Sequence, residues 1–400
     1  MTVRALTVVA ACAALIVAVS GCGSSPQAAV STSPPSAPAS ISPSATSTPN
    51  APAGTPTVHP QPSGVPVPAG FKAASVTFVS ANEAFVLGTA PGPSAALLRT
   101  LDRGRLWVRL PGPAVALGSP AAGGASSVWG TRFASPSHGF VFGHGLWETT
   151  DGGGHWTFDS TPSGSILSLA TIDGQVLALT AKGTSQGGLG PVRVLRRPLG
   201  GGPWNTVASL KSVDLTDPTD LIATQAGSAA ILDGASILVT TDGGVTVTSR
   251  ATPSLPQYFT PAAVAVTSGH GLALLCVGQG YTGHTQKLVY VSTNGGLTWS
   301  KAGAPSPEGD GGTLAGSGAT LSLATASAAS WLDRSTNGGH VWATSLTYGD
   351  GGLGWADLGF TTPSNAVVIH GPARSSGGAG RPGRLLLSSD GGASWRAVIF

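Results

Sequence analysis

The sequence predicts an all-β protein: a seven-bladed β-propeller of four-stranded antiparallel blades, preceded by a signal peptide and a disordered tether. Three observations lead to this prediction. The chain is rich in glycine, with 59 Gly among 400 residues, and poor in charge, with 9% Asp, Glu, Lys and Arg. An eight-residue pattern recurs at intervals of 43 to 53 residues. Pairs of short apolar stretches joined by polar turns, which are signals of β-hairpins, precede several copies of this pattern.

The composition excludes several classes of protein. An ordinary soluble domain has about 25% charged residues, and helices depend on Glu, Lys, Arg and Leu and are weakened by Gly. A coiled coil or helix bundle is therefore excluded. A net charge of +3 without a basic block offers little attraction to phosphates, so we expect no nucleic-acid partner.

Residues 1–22 have the features of a secretory signal. Arg4 is the only charged residue among the first 71, and a mostly apolar stretch follows it as far as Val19. A short positive region, an apolar region and small residues are typical of such signals, and a membrane-spanning helix needs about 20 apolar residues. The ending Val19-Ser20-Gly21-Cys22 resembles the lipobox of bacterial lipoproteins, in which the cysteine is acylated and becomes the mature N-terminus.

This resemblance implies that Cys22 carries lipid and that the mature chain is extracytoplasmic, anchored to the outer surface of the cell membrane. The alternatives are an ordinary signal peptide with an incidental cysteine and an uncleaved anchor. Of the other two cysteines, Cys12 lies in the signal and Cys276 lies in an apolar run that predicts a buried strand. One remaining cysteine cannot form an internal disulfide or a zinc cluster.

Residues 23–70 are predicted to form a disordered linker. They contain twelve prolines, many Ser, Thr and Ala, and no charged residue. Because they show no apolar periodicity, they cannot build a core. We expect a semi-extended tether that holds the domain of residues 71–400 away from a membrane. Its Ser/Thr-Pro tracts are also candidate O-glycosylation sites.

Residues 71–400 contain the recurring octet Ser/Thr-x-Asp/Asn-x-Gly-x-x-Trp. Six copies begin at Thr100, Thr149, Thr240, Ser292, Ser335 and Ser388, and a seventh, degraded copy spans Arg197–Trp204. Asx side chains bond nearby backbone N–H groups and Gly accepts positive φ, so each octet is expected to form a tight turn. Its Trp offers a large apolar face to a neighbour. The residues of this structural role are Asp102, Trp107, Asp151, Trp156, Asp242, Asn294, Trp299, Asn337, Trp342, Asp390 and Trp395.

Each repeat is predicted to be one blade, with two strands before the octet, one running into it and one leaving it. A four-stranded sheet cannot bury both faces alone, but seven arranged radially can. Seven repeats of about 48 residues match the length of residues 71–400. The first blade starts with an innermost strand near Ala74 and the chain ends with an outermost strand, so we expect the ring to close without an exchanged strand.

The octets resemble the Asp-box, or BNR, repeat of sialidase-like β-propellers, and the resemblance covers nearly all of residues 71–400. Similar repeats occur in photosystem II stability and assembly factors, in sortilin-type receptors and in several glycoside hydrolases. The resemblance implies the propeller fold but no photosynthetic role, because fold does not fix function. In the assembly factors a basic patch binds the client. Here Arg99, Arg103, Arg105 and Arg109 cluster in blade one, where a solvated edge hairpin is the alternative interpretation.

The two faces of the predicted propeller differ. If the strands of a blade are A to D from the channel outwards, A–B turns and octets share one face, and B–C loops and D–A connections share the other. In sialidases, as the resemblance implies, that second face holds the active site. Binding residues concentrate in loops on a rigid scaffold. The candidate binding residues in these loops, which include a predicted loop at 278–286, are Tyr258, Tyr281, His284, Tyr348, Arg374 and Arg381.

Catalysis has weak support in the sequence. The Phe/Tyr-Arg-Ile-Pro motif of sialidases is absent, and two of the three glutamates, Glu83 and Glu148, are predicted to lie towards the octet face. Other hydrolases with this repeat use a carboxylate pair. Glu308, Asp310 and Asp350 are the weak catalytic candidates, and solvated loop acids are the alternative interpretation.

We expect neither a metal nor a cofactor. The octet carboxylates lack the alternating pattern of an EF-hand loop, and Asn at 294 and 337 favours turn capping over calcium binding. The predicted function is a lipid-anchored, non-catalytic binding or assembly scaffold for an envelope protein or surface glycan. A glycoside hydrolase is the alternative.

Overall fold

The computed structural model describes residues 65–118, 127–160, 162, 164–182, 190–211, 222–225, 227–371 and 383–400. The predicted signal peptide, Cys22 and most of the predicted linker lie outside these ranges. The described residues form seven antiparallel blades of four strands each, so the predicted seven-bladed propeller is confirmed. No helix in the described ranges is long and apolar enough to span a membrane.

The strands of each blade follow one another in chain order from the channel outwards, as A, B, C and D. Blade 1 consists of β2 (Lys72–Phe78), β3 (Ala84–Thr89), β4 (Ala95–Thr100) and β5 (Val108–Leu110), with β1 (Val65–Pro66) along its outer edge. Blade 2 consists of β7 (Ser127–Phe133), β8 (Gly139–Gly143), β9 (Leu146–Thr149) and β10 (Thr157–Asp159), with β6 (Ala116–Leu117) parallel to β7. Blade 3 consists of β11 (Ser165–Ile172), β12 (Gln175–Ala181), β13 (Arg193–Pro198) and β14 (Asn205–Ser209).

The remaining four blades have the same order. Blade 4 consists of β15 (Ala223–Gln225), β16 (Ser228–Asp233), β17 (Ser236–Thr240) and β18 (Thr248–Ala251). Blade 5 consists of β19 (Thr260–Val266), β20 (Leu272–Tyr281), β21 (His284–Ser292) and β22 (Ser300–Gly303). Blade 6 consists of β23 (Asp310–Ser317), β24 (Thr320–Ala326), β25 (Ser330–Ser335) and β26 (Ala343–Tyr348). Blade 7 consists of β27 (Trp355–Phe360), β28 (Ala366–His370), β29 (Arg384–Ser388) and β30 (Arg396–Ala397).

The first folded residues come earlier than the sequence suggested. Val65 and Pro66 pair with Arg109 and Val108 of β5, so residues 65–70, which we assigned to the linker, are ordered. Two prolines in this segment favour a linker by composition. Pro66 can nevertheless pair with the outer strand β5, because Pro is tolerated at a sheet edge.

The core lies between the blades, as the radial arrangement requires. The B and C strands contain buried apolar runs such as Phe85–Leu87 of β3, Leu97–Leu98 of β4 and Leu274–Cys276 of β20. Cys276 is thus the buried strand residue that the sequence predicted. The A strands of all seven blades surround a central channel of about 390 Å³.

The octets form the predicted turns through one repeated set of hydrogen bonds. In each of the six good copies the Ser/Thr hydroxyl donates to the Asx Oδ1 at 2.8–3.0 Å. The same Oδ1 accepts the seventh residue's N–H at 2.9–3.0 Å. The hydroxyl accepts the fifth residue's N–H at 2.8–2.9 Å. The Asx Oδ1 therefore accepts both the hydroxyl and a backbone N–H, which is the turn-capping role that the sequence predicted.

The fourth and fifth positions of these six octets have positive φ, and only one residue there is not glycine. Arg103 holds the fourth position of the first octet at φ 61°. Its N–H still donates to Asn82 O at 2.8 Å, just as Gly152 donates to Ser137 O at 2.7 Å in blade 2. Arg103 is therefore a strained residue at a position where the other five copies have Gly.

Ion pairs stabilise the degraded octet of blade 3, where the other octets have turn-capping hydrogen bonds. Arg197 stands at the Ser/Thr position, is buried, and pairs with Glu148 at 2.5 Å and Asp159 at 3.2 Å of blade 2. Its guanidinium also lies 4.9 Å from the Trp204 ring centroid. An inter-blade ion pair thus takes the place of the missing Asx turn.

The ring closes without an exchanged strand, as predicted. Blade 7 is built entirely from residues 355–397, and the only β-bridge between it and the blade 1 strand β2 among the described residues is the isolated one between Ala73 and Gly383. Phe71 and Phe400 pack edge to face with ring centroids 4.7 Å apart, and Trp107 lies 5.4 Å from Phe400. Both ends of the domain therefore seal the junction of blades 7 and 1.

We predict that the octet carboxylates make the fold acid-sensitive. Their hydrogen bonds hold the pKa of Asp242 and Asp151 below the usual range. At Asp390 burial raises the pKa, but the bonds from Ser394 and Ser388 outweigh it and lower the pKa to about 2. A depressed folded-state pKa contributes stability above the unfolded pKa of about 4 that is lost as the pH falls towards the folded value.

A variant with Asp151→Asn, Asp242→Asn and Asp390→Asn retains the capping oxygen, as Asn294 and Asn337 do naturally. Thermal unfolding followed by circular dichroism should show a smaller loss of Tm between about pH 4 and about pH 2 for this variant than for the wild type. Equal losses would contradict the assigned role.

Candidate functional site

The structure assigns each turn of a blade to one of two faces. In blades 1, 2, 5, 6 and 7 an octet N–H donates to the A–B turn of the same blade, for example Gly295 to His270 O at 2.8 Å and Gly391 to Ser364 O at 2.7 Å. These turns form the octet face. The B–C turns and D–A connections, at the opposite ends of the strands, form what we call the loop face. Arg374 and Arg381 lie outside the described residues.

Tyr258 lies on the loop face in a strained backbone conformation. It is 64% exposed and has φ 69° in the connection between blades 4 and 5. The Phe259 N–H donates to Pro256 O at 3.1 Å, so Tyr258 occupies the third position of a β-turn. A positive φ at that position normally selects Gly or Asn. The side chain therefore projects into solvent from a backbone that would suit Gly better.

Tyr281 and His284 lie at the tip of a hairpin and not in a loop, which corrects the predicted loop at 278–286. β20 continues to Tyr281 and β21 begins at His284, with an irregular register between Val277 and Gly280. Three glycines in this segment suggested a loop, but pairing across a two-residue turn extends the sheet. Tyr281 is 66% exposed.

The first pair of acidic candidates borders this hairpin. His284 Nδ1 lies 3.3 Å from Glu308 Oε2, and both side chains are partly exposed. Asp310 accepts a hydrogen bond from the Thr285 hydroxyl at 2.8 Å and is the first residue of β23. Both carboxylates therefore have partners on blade 5.

Lys287 is a functional candidate that the sequence analysis missed. It is 3% exposed, and its Nζ lies within 2.8–3.3 Å of five backbone carbonyl oxygens, those of Thr285, Ser306, Pro307, Glu308 and Gly309. Burial lowers the pKa of Lys287 to about 8, while the negative charges of Asp333, Asp310 and Glu308 act in the opposite direction. A signal was present, because Lys287 shares the inward-facing parity of Thr285 and Val289 on β21.

Asp350 is the centre of a second cluster. Its Oδ2 accepts the Ser330 hydroxyl at 2.8 Å and lies 2.5 Å from His370 Nε2, and its Oδ1 accepts the Gly352 N–H at 2.8 Å. Burial raises the pKa of Asp350, but these hydrogen bonds outweigh it and leave the pKa below the usual range. Asp350 is therefore ionised at neutral pH.

Aromatic rings cover this cluster. Tyr348 stacks on His370 with centroids 4.2 Å apart, and the ring of Trp355 lies 4.8 Å from that of His370. A cavity of about 640 Å³ opens beside Tyr348 and His370. Sequence reasoning found Tyr348 but not His370 or Trp355, because nothing in the local pattern links a strand-end His to an Asp twenty residues earlier.

The B–C turn of blade 6 connects the two clusters. The Ser327 hydroxyl donates to Gly283 O at 3.1 Å, and the Thr325 hydroxyl donates to Glu308 O at 3.0 Å. On the other side the indole N–H of Trp355 donates to Thr325 O at 3.0 Å. The loop face of blades 5, 6 and 7 is thus one continuous, hydrogen-bonded surface.

Asp350 does not fit the role of the proton donor of a glycosidase. A glycosidase needs one carboxylic acid that stays protonated to donate its proton, and the depressed pKa of Asp350 is opposite to that requirement. Glu83 and Glu148 pair with Arg99 and with His138 and Arg197, away from these clusters. Within the described residues no group of three or more His, Cys, Asp and Glu could hold a metal ion.

No protein-family model matches the chain, and no curated protein matches it. Two structures of YCF48 are similar in fold, each with a TM-score of 0.51. The one bound to a D1 peptide is 16% identical, over 81% of this chain and 95% of that chain. The one from Cyanidioschyzon merolae is 15% identical, over 82% and 97%. A GH74 enzyme from Niastella koreensis is 14% identical over 82% of this chain and 71% of its own, with a TM-score of 0.27.

At these identities the similarity to YCF48 shows the propeller fold alone.

Proposed function

We propose that this protein is a lipid-anchored, extracytoplasmic β-propeller with Asp-box repeats that binds an envelope protein, as a non-catalytic scaffold, through the loop face of blades 5 to 7. The observation that carries the proposal is Tyr258, an exposed aromatic side chain on a strained backbone. A non-glycine residue with positive φ costs about 1–3 kcal/mol, and such strained residues cluster at functional sites. With 64% of the residue exposed, packing supplies little compensation.

The neighbouring residues suit a protein partner. Tyr281 is a second exposed tyrosine on the same face, and His284 beside it can donate or accept hydrogen bonds. Tyrosines concentrate binding energy in protein interfaces because they offer a large apolar area with little loss of conformational freedom. YCF48, which shares the fold, has been seen bound to a D1 peptide. That complex supports a protein ligand for such a propeller, and neither its partner nor its process is transferred here.

The glycoside hydrolase alternative lacks a corresponding observation. Of its three candidate carboxylates, Asp350 is held ionised by His370, Ser330 and Gly352, and Asp310 and Glu308 are bonded to Thr285 and His284. A surface glycan remains the second ligand class for the tyrosines, since exposed aromatic rings also bind sugars.

The membrane anchor rests on the signal-like segment and Cys22. We predict that Cys22→Ala moves the protein from the membrane fraction to the soluble extracytoplasmic fraction, because no acyl chain then holds it. Cys276→Ala is the matched control, since Cys276 is buried in β20 and should leave the distribution unchanged. Membrane retention of the Cys22→Ala variant would contradict the proposed lipidation.

Tyr258→Gly tests the binding proposal. It relieves strain, so the free energy of unfolding should rise by about 1 kcal/mol. It also removes the aromatic ring that is proposed to contact the partner, so recovery of the stoichiometric envelope partner in co-purification should fall about tenfold.

Asp173→Gly is the matched control on the octet face, at an exposed residue of the A–B turn of blade 3 with φ 48°. It should give a similar gain in denaturant unfolding and leave partner recovery unchanged. Equal recovery with both variants would refute the assignment of the binding surface.

A further inference from the structure

The cage around Lys287 resembles a cation-coordination shell more than an ordinary hydrogen-bond site. An ammonium group has three N–H donors, yet five carbonyl oxygens converge on this one at 2.8–3.3 Å. Four of them come from consecutive residues, Ser306 to Gly309, in the connection between blades 5 and 6. A segment that turns all its carbonyls inwards needs a positive charge at its centre.

We propose that Lys287 is a built-in cation that positions the Ser306–Gly309 segment, and that the cage accepts a free ammonium ion when the lysine side chain is shortened. The N–O distances suit ammonium. They are longer than the distances of about 2.3–2.6 Å for calcium or about 2.0–2.1 Å for magnesium. The proposal concerns the chain's own architecture and does not depend on the partner of the proposed function.

The charges around the cage complement a cation. Asp333 on β25 is 1% exposed, its Oδ1 accepts the Thr344 hydroxyl at 2.7 Å, and its Oδ2 has no hydrogen-bond partner among the described residues. Glu308 of the segment and Asp310, the residue that follows it, flank the cage, and His284 pairs with Glu308. Burial raises the pKa of Asp333, which the Thr344 hydrogen bond and the charge of Lys287 oppose.

Other contacts also order the segment: the Thr325 hydroxyl donates to Glu308 O at 3.0 Å, and the Glu308 N–H donates to the Ser306 hydroxyl at 3.3 Å. Pro305 and Pro307 have no N–H to donate, so backbone pairing is limited to bonds such as Thr285 N–H to Pro307 O at 2.9 Å and Gly309 N–H to Gly283 O at 3.1 Å. Burying an ammonium group costs free energy unless the group is paired. This cost is explained if Lys287 is needed to order the Ser306–Gly309 segment. Lys287 holds the backbone of Glu308 and Gly309, just before Asp310, at the edge of the loop face.

Hydrogen exchange of the full-length protein tests this proposal. In Lys287→Ala the amides of Thr285, Glu308 and Gly309 should exchange about tenfold faster, while the octet of the same blade, residues 292–299, is unchanged. Ammonium chloride should restore slow exchange, and tetramethylammonium chloride at equal ionic strength, which has no N–H donors, should not. In Lys287→Met the methionine fills the space, so exchange should be fast and ammonium without effect.

Lys301→Ala, at an exposed position on β22 of the same blade, is the matched control and should exchange like the wild type. Unchanged exchange in Lys287→Ala, or equal rescue by both salts, would overturn the proposal. If Lys287→Ala does not fold, refolding in ammonium but not in tetramethylammonium supports it, and refolding in neither overturns it. Because these readouts need no partner, their failure is distinguishable from failure of the Tyr258 experiment.

Discussion

A four-stranded blade has two apolar faces, and this one constraint determines most of the structure. Neither face can be buried within the blade, so each blade must lie between two others, and the series must close. Closure falls where the chain's folded ends meet, and Phe71, Trp107 and Phe400 fill that junction. Near the channel Asp357 of blade 7 accepts the Val76 N–H of blade 1 at 2.7 Å and lies 3.5 Å from Arg132 of blade 2. Apolar and charged contacts thus tie the last blade to the first two.

The two faces of the ring have different roles. On the octet face six turns repeat nearly identical hydrogen bonds, and the degraded copy of blade 3 is compensated by the ion pairs of Arg197. This regularity anchors the outer strands and leaves the opposite loops free to differ from blade to blade. The loop face of blades 5 to 7 shows the result: an extended hairpin, a lysine-centred cage and an aromatic cluster over an ionised carboxylate, none of which another blade repeats among the described residues.

Periodicity explains which parts of this architecture could be predicted. The blade number and the turn-capping octets follow from patterns that recur every 48 residues or so. The buried Cys276 follows from a local apolar run, and the closure without exchange follows from the strands predicted at the two ends of the domain. Lys287 could not be found that way, because its role depends on carbonyls some twenty residues later in the chain. His370 and Trp355 were missed for the same reason. Glycine content wrongly predicted a loop at 278–286, where β-pairing overrides local flexibility. Proline content wrongly assigned residues 65–70 to the linker, because an edge strand can accept Pro.

If the proposed envelope partner binds the loop face of blades 5 to 7, site-specific photo-crosslinking in intact cells will capture it there. Tyr281 on the loop face and Leu297 on the octet face belong to the same blade and are 66% and 61% exposed. A photoreactive phenylalanine analogue at each position therefore probes opposite faces at matched exposure. We expect one discrete adduct with an envelope protein from position 281 and none from position 297. An adduct from position 297 alone, or the same adduct from both, would contradict this expectation.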